Sequence, residues 1–174
     1  MRLYSIGHST RSLDEFVALL QEHGIRRLAD IRRYPASRRY SHFNADALES
    51  ALKGVDIAYA HFDALGGRRA PSRDSPNQAW RNDQFRGYAD HMGTAEFAVA
   101  VKQLVGSDRV TAFMCAEAVP WRCHRNLLSD ELTRRGIEVL HILGPHSVQL
   151  HQLNPAARDT GSHLIYPAPQ GTLL

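Results

Sequence analysis

Residues Arg109 to Gly144 read RVTAFMCAEAVPWRCHRNLLSDELTRRGIEVLHILG, and the fold is decided there. The opening run, Arg109 to Met114, is apolar and β-rich, the composition of a strand buried on both faces. Pro120 suits a helix's first turn. Cys123 to Arg135 then reads as a helix, with Arg134 and Arg135 at its negative end and Gly136 as its stop. Glu138 to Leu143 is a second apolar strand. Strand, helix, strand is the crossover unit of a parallel sheet.

The N-terminal half repeats this alternation. Leu3 to Ile6 reads as a strand ending at Gly7. Ser12-Leu13-Asp14-Glu15 is a capping box, in which the Ser12 hydroxyl accepts from the Glu15 amide while the Glu15 carboxylate reaches back. Behind it Leu13, Phe16, Val17 and Leu20 share one helical face, and Gly24 ends the helix. Arg27 to Ile31 and Val55 to Phe62 read as strands, with a helix from Asn44 to Lys53 between them stapled by Phe43 and Leu48. Phe85 to Met92 is a short helix, and Thr94 caps another whose apolar face is Phe97, Ala100, Val101 and Leu104. The pattern predicts one α/β domain over residues 1–174: a mostly parallel five-stranded sheet with helices on both faces, a Rossmann- or flavodoxin-like three-layer sandwich. Residues 66–82 form a long basic loop. Residues 145–174, with Pro145, Pro155, Pro167 and Pro169, read as an irregular C-terminal wrap.

Composition narrows the class. Of 174 residues 43% are hydrophobic and 22% charged, as in ordinary globular proteins, which excludes disordered and fibrous classes. No apolar run approaches the ~20 residues of a membrane-spanning helix. The start, Met1 to Gly7, reaches a glycine before a signal-peptide core is built, so the expected location is the cytoplasm and the two cysteines are expected reduced. Only Lys53 and Lys102 are lysines among the 21 basic residues; the rest are arginines. A GC-rich genome produces that bias, and so does a need for planar forks that grip phosphate or carboxylate. Residues Arg26 to Arg39 hold six arginines against Asp30, a local charge of +5 in a chain of net charge +3.

Ligands of open α/β sheets bind outside the carboxyl ends of the strands. The residues just past each predicted strand are Gly7-His8-Ser9-Thr10-Arg11, Arg32-Arg33, Gly66-Gly67-Arg68, Cys115-Ala116-Glu117 and Gly144-Pro145-His146. Gly7-His8-Ser9-Thr10, Asp30-Ile31-Arg32, Ser37-Arg38-Arg39 through Phe43-Asn44, Leu65-Gly66-Gly67, and Met114-Cys115-Ala116-Glu117 through Cys123-His124-Arg125 resemble the bacterial family catalogued as domain of unknown function 488. The resemblance spans Tyr4 to Tyr166 and departs at Tyr40-Ser41-His42, where the family is associated with a proline near the phenylalanine. It implies the fold and points at positions. It implies no reaction, which has to come from the residues.

Cys115, between a strand end and a helix start, is placed to face the helix dipole, with Arg122, His124 and Arg125 favouring its thiolate. Phosphatases and sulfur transferases use this arrangement. The spacing from Cys115 to Arg122 is looser than a phosphatase loop, and Glu117 puts a negative charge where an anion would sit, which speaks against a strict phosphatase. The alternative for Cys115 is a small apolar residue at a core edge. The best reading is an enzyme acting on an anionic, nucleotide or nucleic-acid-derived substrate. Cys115 would be nucleophile or ligand, Glu117 an acid–base group, Cys123 a second thiol, His124 the proton carrier and Arg125 the anion clamp. Substrate binding is assigned to His8, Ser9, Arg11, Asp30, Arg32, Arg38, Arg39, Gly66 and Gly67. Asp30 and Arg32 flank Ile31 in a strand and so point to one face.

Two other readings remain. A non-catalytic nucleic-acid-binding module fits the mixture of arginine and tyrosine in Arg32 to Tyr40 and the arginines of the long loop, although no helix-turn-helix, zinc-finger or RNA-motif signature is present. An iron- or zinc-binding protein fits Cys115, Cys123 and His124, completed by His8 or His61, but this spacing is unlike the usual zinc ligand pairs and no metal ligand set is assigned. Cofactors are left open; no Gly-x-Gly-x-x-Gly or Walker loop occurs. A small anionic molecule or nucleic acid is the expected partner, and no membrane is.

Overall fold

Three of the four crossovers between parallel strands skip a strand, and that skipping builds the site. The computed structural model describes residues 1–169. In chain order its main elements are β1 (Arg2–Gly7), α1 (Leu13–Glu22), β2 (Arg27–Asp30), α2 (Ala45–Lys53), β3 (Ala58–His61), α3 (Asp83–Met92), α4 (Ala95–Val105), β4 (Thr111–Cys115), α5 (Arg125–Arg134) and β5 (Glu138–Gly144). Three short strands follow: β6 (Ser147–Leu150), β7 (Arg158–Asp159) and β8 (Leu164–Ile165). The main sheet runs β3-β2-β4-β1-β5-β6, with β6 alone antiparallel, and β7 pairs with β8 in a separate ribbon.

The chain leaves β1 toward β2 and β3, then turns back through β4 to β5. Right-handed crossovers moving in opposite directions place α1 and α2 on one face and α3 to α5 on the other. The core divides accordingly. Ile6, Leu28, Ala112 and Met114 pack with Phe16 and Leu20 of α1 and Leu48 and Leu52 of α2. Leu3, Ala29, Phe113 and Cys115 pack with Tyr88, Phe97, Val101, Leu127 and Leu132. Alternation along β4 therefore turns Met114 one way and Cys115 the other.

The three-layer α/β architecture agrees with the pattern read from sequence, but the sheet has six strands where five were expected. The extra strand, β6, lies in the stretch read as an irregular wrap, as do β7 and β8; the last part of that stretch, residues 170–174, lies outside the described residues. The turn before β6 carries His146 at φ 53°, and all four β6 residues are exposed, so no alternation of burial marks it. At α1 the capping box forms: Glu15 N donates to Ser12 Oγ (3.2 Å) and Ser12 N to Glu15 Oε2 (2.8 Å). Asn44 does not cap α2 with its side chain; its Oδ1 accepts from Ser37 N at 2.6 Å and ties down the basic loop.

At the point where the crossovers part, β1 and β4 lie side by side with Gly7 opposite Cys115. A Cβ on Gly7 would stand 1.7 Å from the Glu117 carbonyl oxygen. Gly7→Ala must therefore push the 116–118 loop outward, at a cost of about 1–3 kcal/mol. Urea unfolding of the variant checks this, and an unchanged midpoint would contradict the close packing of the loop.

Candidate functional site

The carboxyl ends of β1, β2 and β4 open into a cleft of about 1180 Å³. Cys115 enters it from the last residue of β4. Two amides of the segment after β1 hold the chain beyond it: His8 N donates to Cys115 O (3.0 Å) and Ser9 N to Ala116 O (2.8 Å). Pro120–Arg122 then makes a 3-10 turn rather than the start of a helix, and α5 begins only at Arg125. Cys123 is extended (φ −136°, ψ 149°) and His124 is already helical in its dihedrals (φ −57°, ψ −15°). That change of backbone lets two adjacent side chains face the same point.

His124 Nδ1 lies 3.7 Å from Cys123 Sγ and 3.9 Å from Cys115 Sγ. The other ring nitrogen, Nε2, is 3.1 Å from the Ile31 carbonyl oxygen. A carbonyl only accepts, so Nε2 carries a proton and the Nδ1 edge faces the sulfurs. Gly67 borders the ring so closely that a Cβ there would be 2.7 Å from Nδ1. Both sulfurs are buried, at 8% and 3% exposure for Cys115 and Cys123.

The two thiols are unequal. The hydrogen bond to Cys123, and then burial, push the Cys115 thiol well above the usual range, so it keeps its proton. Burial also opposes ionisation of Cys123, but the hydrogen bond from Cys115 and the charges of His124 and Arg125 outweigh it and hold its pKa well below the usual thiol value. Arg125 N–H at the head of α5 also points at Cys123 Sγ, at 3.5 Å. The sequence reading aimed the helix dipole at Cys115, between the strand end and the helix; the thiol that meets the first amide of α5 is Cys123, since Pro120–Arg122 forms a separate 3-10 turn.

The other expected site residues divide. His8, Ser9, Arg32, Gly67 and Glu117 line the cleft with Cys115, Cys123 and His124. His8 is held neutral: burial, opposed by its hydrogen bond to Ser9 O and assisted by the Arg32 charge, lowers its pKa to about 4. Its ring stacks on Phe43 at 4.3 Å. Asp30 is fully buried behind the cleft, where its carboxylate accepts from Arg32 Nη2 (2.6 Å) and Tyr59 OH (2.8 Å). Arg32 also donates to Phe43 O at 2.7 Å, so most of its fork is spent within the protein.

Arg125 is not an anion clamp. It is 1% exposed, and its guanidinium donates to Glu117 O (2.6 Å) and Ser5 Oγ (3.2 Å). Arg11 donates to the Gly7 and Leu143 carbonyls and does not line the cleft. Arg38 and Arg39 are exposed outside its lining, and Gly66 lies against the Arg33 backbone. The positive wall is made instead by Arg33, Arg68, Arg69 and Arg122, with Tyr34 and Phe85 beside them. Arg68 lies over the Tyr34 ring at 5.9 Å.

Sequence reasoning missed a buried chain of donors behind the site. Ser5 Oγ lies 2.6 Å from His141 Nδ1, His141 Nε2 lies 3.0 Å from His151 Nδ1, and His151 Nε2 lies 2.8 Å from Asp130 Oδ1. Tyr166 OH donates to the other Asp130 oxygen at 2.8 Å. With Arg125 donating to Ser5 and the carboxylate accepting at the far end, every hydrogen points toward Asp130. His141 is then neutral.

Among the described residues, Cys115, Cys123 and His124 are the group whose donor atoms could hold a metal ion, all within 4.8 Å of one another. His8 and His61, considered from sequence as a fourth ligand, are turned elsewhere. The His8 Nε2 edge meets Arg32 at 3.4 Å, and His61 Nε2 donates to Arg32 O at 2.8 Å.

The model of the family described as Domain of unknown function DUF488 matches residues 12–132. The chain belongs to this family. No curated protein matches it, and no solved structure does. The DUF488 match runs from α1 into α5 and so contains Cys115, Cys123 and His124, while His141, His151 and Tyr166 lie beyond it. No helix among the described residues is long and apolar enough to cross a membrane.

Proposed function

We propose that this DUF488 protein is an enzyme that takes the anionic part of a nucleotide or nucleic-acid-derived substrate into the arginine-walled cleft and works on it at the Cys115–Cys123–His124 cluster. The observation that carries this reading is the convergence of two unequal thiols and an imidazole in a cleft whose wall bears Arg33, Arg68 and Arg122. The arginines attract the anion, and Tyr34 and Phe85 offer rings on which a base can stack. Cys123 is the electron-pair donor of the centre, Cys115 and His124 its proton-bearing neighbours, and Glu117 the acid–base group at the rim.

The test is alkylation by iodoacetamide in the presence of a chelator. Cys123 should react with a midpoint well below the ~8.5 of a free cysteine, while Cys115 lags. A nucleoside diphosphate should protect Cys123, and the protection should fade as salt is raised. Inert thiols together with salt-dependent binding of single-stranded oligonucleotide would favour the non-catalytic binding module instead. Inert thiols and no anion binding would remove both.

A further inference from the structure

We infer that Cys115, Cys123 and His124 are a three-ligand centre for a soft divalent transition-metal cation, of the zinc or ferrous kind, with its remaining position open to the cleft. The inference rests on the proposed function, since it names the cofactor of the same centre.

Distance is the first argument. A tetrahedral ion with two thiolates and one imidazole holds sulfur and nitrogen about 3.5 Å apart and the two sulfurs about 3.8 Å apart, from bonds of ~2.3 Å to sulfur and ~2.0 Å to nitrogen. The sulfur-to-nitrogen separations here are 3.7 and 3.9 Å, within a few tenths of an ångström of that geometry. The backbone change between Cys123 and His124 is what allows neighbouring residues to share one ion.

The second argument is the imidazole's far side. A metal-binding histidine donates its other N–H to a carbonyl or carboxylate, which fixes the tautomer and aims the free lone pair. His124 does this with Ile31 O, on the residue just past the end of β2. Gly67 leaves the Nδ1 edge open, where any side chain would collide with it. Arg125 N–H bonded to Cys123 Sγ is the corresponding partner of a ligating thiolate.

Charge is the third. Two thiolates cancel a dication, so a loaded centre adds no net charge beside the cleft arginines. Thiolate and imidazole together select zinc or ferrous iron over magnesium or calcium, which take oxygen ligands. Three protein ligands leave one position for water or substrate, the arrangement of a metal site that does chemistry rather than one that only braces the fold.

The reduced, chelator-treated full chain should be titrated with cobalt(II). Saturation at one ion per chain is expected, with a thiolate-to-cobalt charge-transfer band and the intense visible bands of low coordination. Zinc should abolish both by displacement, and zinc loading should raise the melting temperature. Cys115→Ser and Cys123→Ser should each weaken binding at least about tenfold, with the far-ultraviolet circular dichroism unchanged. No charge-transfer band in the wild type, or a band that survives in the double variant, overturns the inference. The two readings fail separately. Without a cobalt band, but with fast Cys123 alkylation that nucleotide prevents, the metal is lost and the enzyme reading stands. With a cobalt band indifferent to nucleotide and no anion in the cleft, the metal stands and the substrate reading is lost.

Discussion

Lowering the pH from 7 to 5 should remove about 4 kcal/mol of folding free energy through two histidines alone. His8 is held down to a pKa of about 4 and His141 to about 3, against an ordinary value of 6.5. Burial is the main cause for both. The Arg32 charge adds to it at His8, and His151 and Arg125 add to it at His141. A group whose folded pKa is depressed contributes its stability above the unfolded pKa and loses it as pH falls toward the folded one. The window here opens near pH 6.5 and closes near 4 for His8 and near 3 for His141. Inside it each group costs about 1.4 kcal/mol per pH unit, because the unfolded chain takes up a proton that the folded chain refuses. Urea unfolding at pH 7, 6 and 5 measures the loss. A flat profile would mean that both rings accept protons in place, and imidazole resonances of His8 and His141 titrating near pH 6.5 would say the same directly.

Asp130→Ala should cost about 3–5 kcal/mol and lower the melting temperature by about 10 °C. The carboxylate receives His151 Nε2, Tyr166 OH and the Asn154 amide, and both Asp130 and Tyr166 are fully buried. Removing it orphans three donors, two of them on buried residues, His151 and Tyr166, and each buried donor left without a partner carries its desolvation penalty. The loss runs back along the chain, since His151, His141 and Ser5 each take their orientation from the next acceptor. Arg125 then loses the support of Ser5 while still carrying the Glu117 carbonyl. Asp130→Asn keeps an acceptor and should cost less, and Tyr166→Phe, which removes one donor and one bond together, about 1 kcal/mol. If Asp130→Ala melts within two or three degrees of the wild type, the network is not what holds this region together.

Local signals were legible and distant ones were not. The capping box of α1 needs only Ser12 and Glu15, three residues apart, and it forms as read. The Asp30 and Arg32 side chains do meet, but just past the end of β2, where Asp30 Oδ1 also accepts from Arg32 N, rather than on one face of a strand. The buried strand β4 announced itself by composition. Asp130, by contrast, sits in a helix whose residues look ordinarily polar, and its partners lie 21 to 36 residues further along. Nothing in the spacing of a helix reveals that kind of burial. The exchange of roles between the thiols came from one local misreading. Pro120 opens a separate 3-10 turn, and the extended Cys123 that follows it, rather than Cys115, meets the first amide of α5. Arg125 was misassigned because a guanidinium grips backbone carbonyls with the same fork it offers to an anion.

The hydrogen bond between His124 and Ile31 joins positions 93 residues apart in the chain. Before β2 and β4 have paired, that carbonyl is elsewhere and the imidazole is free to tumble. A nascent polypeptide leaving the ribosome therefore carries two unremarkable cysteines, no more prone to stray alkylation or mispairing than any others. On the proposed function, reactivity is conferred late, by assembly of non-local strands, which is a slow step in parallel sheets.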